Sequence, residues 1–252
     1  MNRLKILSIS VDTGEYASFV NRIIALGRER IPSYVCIANV HMAIEAHDDP
    51  AFAEIVDSAD LVTPDGMPLV AALRILYGIR QDRVPGMDLV GDILEAAEKE
   101  SLSVFFYGSE DRVLDRIGER IRKEYPNLAI AGMHSPPFRE LTNVEREDEV
   151  DRINRSGANI LLVALGCPKQ ERWMAENRGR IRAAMVGLGA AFPVFAGTQK
   201  KAPEWMRRTS LEWLYRLTRE PGRLWKRYLY TNTKFIYLLG RQFITPLFPY
   251  RQ

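Results

Sequence analysis

Four short stretches end an apolar run on side chains able to do chemistry. In Leu61-Val62-Thr63-Pro64-Asp65-Gly66-Met67, Pro64 holds Thr63 extended and Gly66 tolerates a tight corner. The pattern reads as a strand, a sharp corner and a helix, with the Asp65 carboxylate at the strand's carboxyl end. In open α/β sheets that edge is where ligands bind, although a plain Asp-Gly turn has the same composition. Asn39, closing the run Tyr34-Val35-Cys36-Ile37-Ala38, can cap the next helix or offer an amide to a ligand on that edge. Lys169 and Gln170 follow the apolar run 158–166 and share the edge. Gly108-Ser109, between the run 103–107 and a helical segment, suits an anionic group: backbone N–H groups and the helix dipole both face it. Arg83, in the polar loop 80–88, is either a solvated charge or a clamp for phosphate or carboxylate.

The elements that must carry these residues recur as strand–helix units. Strands are expected at 4–11, 34–39, 61–64, 103–108, 128–130, 158–166 and 183–187. Helices are expected at 16–30, 40–46, 51–59, 67–77, 89–100 (with Asp88 as its cap), 111–125, 144–156 and from Pro168 onward. Residues 134–138 read as a rigid loop, and Gly187 and Gly189 as a strand dissolving into a glycine turn. Unbroken apolar runs such as 160–165 belong to strands buried on both faces. The expected fold is α/β: a Rossmann-like parallel sheet with helices on both faces. No G-x-G-x-x-G or G-x-x-x-x-G-K-[ST] occurs, so no dinucleotide or P-loop fingerprint is present.

The chain of 252 residues divides by composition into an α/β domain (1–195) and a basic C-terminal helical appendage (196–252). Residues 196–252 hold 12 Lys/Arg against 3 Asp/Glu, a net of +9. That leaves −6 on the first 195 residues of a chain whose total is +3. On a helical wheel Arg223, Arg227, Lys234 and Arg241 fall along one line, with Trp225, Tyr228, Leu229, Phe235, Ile236 and Leu239 on the opposite face. A basic amphipathic helix with aromatic residues has the composition of an interfacial membrane segment, and an anionic membrane surface is its expected partner. The same helix could pack on its own domain or on another copy of the chain. No nucleic-acid motif accompanies it. Cys36 and Cys167 lack metal-ligand spacing and read as free thiols of a reducing cytoplasm. The N-terminus does not read as a signal peptide, and no stretch has the roughly 20 apolar residues of a spanning helix. A cytoplasmic protein held at the inner face of the membrane is expected.

Together the motifs resemble those of the WecG/TagA/CpsF glycosyltransferases. Gly166-Cys167-Pro168-Lys169-Gln170-Glu171 is similar to that family's G-x-P-K-Q-E run, and Asp65-Gly66 to its D-G corner. Arg83 with Gly86 is similar to its R-x-x-G loop. Lys201-Ala202-Pro203-Glu204-Trp205 with Glu212-Trp213-Leu214-Tyr215-Arg216-Leu217 is similar to its R-A-P-x-W … E-W-L-Y-R-L segment. The resemblance implies an inverting, metal-independent transferase. It would move a hexose (N-acetylmannosamine, its uronic acid or a glucose-type sugar) from a UDP-sugar to a polyprenyl-diphosphate-linked acceptor in cell-surface polysaccharide synthesis, with no cofactor beyond the donor. It implies Asp65 as general base, and Arg83, Arg216, Arg223 and Arg227 as partners of the leaving diphosphate. It implies Asn39, Gln170 and Lys169 at sugar or acceptor hydroxyls, and Gly108, Gly187 and Gly189 where backbone approaches the nucleotide. The basic tail would close over this site at the membrane. Two positions depart from the family pattern: Pro193 follows Phe192 where many members carry Asp, and Ile37 stands where relatives often carry Thr.

Two other readings share parts of the pattern. A nucleotide-sugar epimerase would use a similar sheet but calls for an early glycine fingerprint and an acidic ribose partner, which this chain lacks. A non-catalytic, membrane-recruited scaffold would bind a nucleotide without turning it over.

Overall fold

The computed structural model describes residues 1–208 and 211–244, without the side chains of Arg207, Arg208 and Arg223. In chain order the elements are β1 (Asn2–Ile6), β2 (Ile9–Thr13), α1 (Tyr16–Arg28), β3 (Ser33–Ala38), α2 (Val40–Asp48), α3 (Pro50–Asp57), β4 (Leu61–Pro64) and α4 (Met67–Tyr77). Next come α5 (Gly86–Lys99), β5 (Ser103–Gly108), α6 (Asp111–Glu124), β6 (Ala129–His134), α7 (Asn143–Arg155), β7 (Ile160–Ala164), α8 (Lys169–Glu176), β8 (Ala184–Gly187) and α9 (Ala191–Phe195). The tail supplies α10 (Glu204–Arg208), α11 (Glu212–Arg219) and α12 (Pro221–Ile244).

Six strands form one parallel sheet in the order β4-β3-β8-β7-β5-β6. The two-residue period of a strand sends alternate side chains to opposite faces, and both faces here are apolar. Tyr34, Cys36, Phe105, Tyr107, Leu161, Val163 and Met185 enter one core, together with residues of α2, α3, α4, α7, α8 and α12. Val35, Ile37, Val104, Phe106, Ile160, Leu162 and Val186 enter the other, with α1, α5, α6 and α9. Register pairs such as Tyr34↔Met185 and Val35↔Val186 keep each set on its own face. The expected parallel sheet with helices on both faces is therefore the fold.

Three local expectations change. The run 4–11 is not one strand of the parallel sheet but an antiparallel hairpin, β1–β2, that turns at Leu7-Ser8 with Leu7 at φ 55°. No Gly, Asn or Pro marks that corner, so periodicity alone reads through it. The hairpin lies beside β4: Asp12 accepts from the Val62 N–H at 2.7 Å and pairs with Arg3 at 2.7 Å, while Arg3 also donates to the Ala59 carbonyl. Second, α5 begins at Gly86 with Pro85 as its cap. Asp88 sits in the first turn, where its negative charge interacts favourably with the positive end of the helix dipole, and it pairs with Lys201. Third, His134 belongs to β6, in register with Tyr107, instead of to a loop.

The tail's long helix has three faces where the wheel suggested two. Leu224, Thr231 and Phe235 are buried against the body, and α12 lies mainly along α2. Asp48 at the end of α2 accepts from Tyr230 Oη at 2.8 Å and pairs with Lys234. Farther along, Gln242 Oε1 accepts from the Leu7 N–H at 2.9 Å. Trp225, Leu229, Ile236 and Phe243 form a separate exposed apolar stripe. Phe235, grouped with them on the wheel, turns inward instead. An edge-to-face contact of Trp213 and Tyr228, centroids 6.1 Å apart, joins α11 to α12.

Candidate active site

The carboxyl ends of β4 and β3 bring Asp65 and Asn39 side by side. The Asp65 N–H donates to the Ala38 carbonyl at 2.9 Å, so the corner after β4 is tied to the last residue of β3. Asn39 caps α2, accepting from the Met42 N–H at 3.2 Å. That uses its side-chain oxygen for the cap, one of the two roles open to it in the sequence. A hydrogen bond from the Val84 N–H to the Pro64 carbonyl, 2.9 Å, pins the 80–85 loop to the same corner. Arg83 is thereby delivered to the edge where Asp65 stands.

The fourth participant comes from the tail. Arg83 Nη2 donates to Glu212 Oε2 of α11 at 3.1 Å, and the two side chains are only 15% and 16% exposed. Arg216, one helical turn after Glu212, is half-buried and adds its positive charge to the environment of Asp65. Burial pushes the Asp65 carboxyl up to about 7, and the negative charge of Glu212 adds to the rise. Arg83 and Arg216 pull the other way, and Asp88 contributes a smaller upward push. A carboxyl poised near neutrality beside two guanidinium groups can accept a proton from a hydroxyl while those cations receive a departing anion.

The other residues singled out in the sequence fall into different settings. Gln170 is buried; its Oε1 accepts from the Gly166 N–H at 3.2 Å and its Nε2 donates to Glu171 at 2.7 Å. Lys169 is exposed at the start of α8. Gly187 and Gly189 make room for Gln170: a Cβ on Gly187 would meet Gln170 Nε2 at 2.9 Å, and one on Gly189 would meet Oε1 at 3.1 Å. Gly108, at φ +102°, faces the backbone of Ala164, whose oxygen would lie 2.6 Å from a Cβ there. These three glycines are thus accounted for by contacts inside the protein. Arg227 is exposed on α12 and near enough to His41 of α2 for its charge to reinforce the lowering of the His41 pKa that burial begins. The side chain of Arg223 lies outside the described residues.

Sequence reasoning missed Glu212. It stands at the head of the quoted Glu212-Trp213-Leu214-Tyr215-Arg216-Leu217 segment, yet nothing in that segment says that its partner lies 129 residues earlier. It also missed a cavity of about 480 Å³ beside Arg83, lined by Tyr16, Met67, Pro85, Asp88, Asp92 and Glu204. Among the described residues no group of three or more His, Cys, Asp or Glu could hold a metal ion.

Known proteins resemble this chain over most of its length. The profile described as "Glycosyl transferase WecG/TagA/CpsF family" matches residues 4–247. The chain belongs to that family. Among curated WecG/TagA/CpsF relatives, an N-acetylglucosaminyldiphosphoundecaprenol N-acetyl-beta-D-mannosaminyltransferase of Bacillus subtilis (strain 168) is 34% identical over 202 residues, covering 80% of this chain and 77% of the relative. A protein of the same description from Staphylococcus aureus (strain MW2) is 28% identical over 219 residues, covering 86% of this chain and 78% of its own. In this glycosyltransferase the stretches that carried the resemblance fall at strand ends and in the tail. The Asp-Gly corner follows β4, and the Lys-Gln-Glu run opens α8. The tail segment supplies the partner of Arg83.

Proposed function

We propose that the protein transfers N-acetylmannosamine from its UDP conjugate to N-acetylglucosaminyl-diphosphoundecaprenol, with inversion at the anomeric carbon. The observation that carries this reading is the Asp65 carboxyl, raised to about 7 between Arg83, Arg216 and Glu212 at the carboxyl edge of a parallel sheet. The names of the relatives support the donor sugar and the acceptor. In the proposed reaction an acceptor hydroxyl attacks the anomeric carbon and gives its proton to Asp65. The bond from that carbon to the diphosphate breaks with its electrons, and UDP leaves as an anion toward Arg83, Arg216 and Arg227. Guanidinium groups suit that task because they match phosphate oxygens and stay charged.

UDP release with UDP-N-acetylmannosamine, its uronic acid, UDP-glucose and UDP-N-acetylglucosamine, each with a short-chain polyprenyl-diphosphate-N-acetylglucosamine acceptor, tests this reading. Acceptor-dependent turnover is expected with the first donor. Turnover with another donor only, or UDP binding with no turnover, overturns it. If Asp65 is the base, the deprotonated form is the active one. The value of kcat/KM should then fall about tenfold per pH unit below about 7 and level off above it. A flat profile between pH 5.5 and 8 would remove Asp65 from that role.

We also place the enzyme at the inner membrane face through its tail. Among the described residues no helix is long and apolar enough to cross a membrane. The exposed stripe on α12, with Leu229 at 64% and Ile236 at 70% exposure, supports an interfacial attachment, as does the positive charge of residues 196–252. Converting both Leu229 and Ile236 to Ser is expected to weaken binding to anionic liposomes about tenfold in a flotation assay while leaving the thermal midpoint unchanged. Undiminished flotation would move the attachment elsewhere.

A further inference from the structure

Glu212 stands where an anionic substrate group is needed. It lies 3.1 Å from Arg83, with both side chains largely withdrawn from water. A guanidinium so placed, left without a partner, carries a heavy desolvation cost, so some anion must face it in the absence of substrate. Around the Asp65 carboxyl the described charges are Glu212 and Asp88 against Arg83 and Arg216, with Asp88 already paired to Lys201. Among the described residues Glu212 is the carboxylate in direct contact with Arg83, so that guanidinium is matched before any substrate arrives. A diphosphate would bring further negative charge into this partly desolvated setting and would meet Glu212 at close range. Like charges held that near each other repel strongly in a medium of reduced dielectric.

We propose that Glu212 is a surrogate anion, exchanged on Arg83 for a diphosphate of the substrates. The inference rests on the reading of Arg83 as a diphosphate partner and adds what holds that seat beforehand. Binding then trades a carboxylate–guanidinium contact for a phosphate–guanidinium contact, and it frees the head of α11. Because α11 also carries Arg216 and is joined to α12 through Trp213 and Tyr228, the exchange ties substrate arrival to the position of the tail. It gives the tail a specificity role as well: an anion weaker than a diphosphate does not displace Glu212.

Calorimetric titration of the full chain with inorganic pyrophosphate tests the exchange without depending on nucleotide, sugar or lipid. Glu212→Gln is expected to bind pyrophosphate about tenfold more tightly than the wild type, since a competing buried charge is removed. Arg83→Gln should bind more weakly, and the double variant should match Arg83→Gln, because the gain acts through Arg83. Glu212→Ser repeats the test with a side chain too short to reach the guanidinium. Binding by Glu212→Gln that equals or falls below wild type would overturn the proposal, making Glu212 a support for Arg83 instead of its placeholder. A gain that persists without Arg83 would overturn it too, as a general charge effect. The expected pattern in a protein that transfers no sugar would retain the exchange while ending the transferase reading.

Discussion

Replacing Asp65 by Asn is expected to lower acceptor-dependent UDP release by about 10³-fold, the middle of the range for loss of a positioned general base. The amide keeps the size of the carboxyl but cannot take a proton from the attacking hydroxyl. UDP binding should be retained or strengthened, because a negative charge beside Arg83 and Arg216 is removed. A second readout comes from stability. The carboxyl titrates near 7 in the folded chain against an ordinary value of 3.8, so the folded state holds the proton more tightly than the unfolded state does. Stability contributed by the neutral form is complete below about 4 and is lost as pH rises through about 7. The Asn variant, permanently neutral, should therefore melt increasingly above the wild type as pH goes from 5 to 8. Unchanged turnover would dismiss Asp65 as base, whereas unchanged melting would show that burial does not raise its pKa.

Phe235→Ala carries the largest expected effect on stability, about 3–5 kcal/mol, the cost of removing a ring from a packed core. Phe235 is 2% exposed and shares the core formed by one face of the sheet and α2. In a chain of this size the loss corresponds to a fall of roughly 10 °C in thermal midpoint. Ile236, the next residue, is 70% exposed, and its change to Ala should fall within about 0.5 kcal/mol. The contrast between neighbours is the test: similar small effects would mean that α12 does not pack on the body. Turnover should fall with Phe235→Ala as well, because α12 anchors α11 and with it Arg216 beside Asp65.

The parallel sheet was legible because burial on both faces leaves its strands as unbroken apolar runs. Tyr34 to Ala38 and Ile160 to Ala164 need no context to be recognised. The Asp65 corner was legible for a related reason, since Pro64 fixes its own φ and holds Thr63 extended wherever they stand; Gly66, at φ −80°, adopts a conformation open to any residue. The hairpin at Leu7-Ser8 was not, because its corner uses a leucine at positive φ that only surrounding contacts hold there.

By itself, then, the amino-acid sequence determined the buried strands of the parallel sheet, that Asp65 stands at a strand's carboxyl end, and that the tail is basic and amphipathic. Each follows from local stereochemistry or from periodicity, which a short window contains. Only the tertiary structure decided that Glu212 meets Arg83 across 129 residues and that Gln170 and three glycines serve internal contacts. It alone divided the apolar side of α12 between the core and an exposed stripe. Such pairings depend on which surfaces come together after folding, and the separation of two residues along the chain carries no information about that.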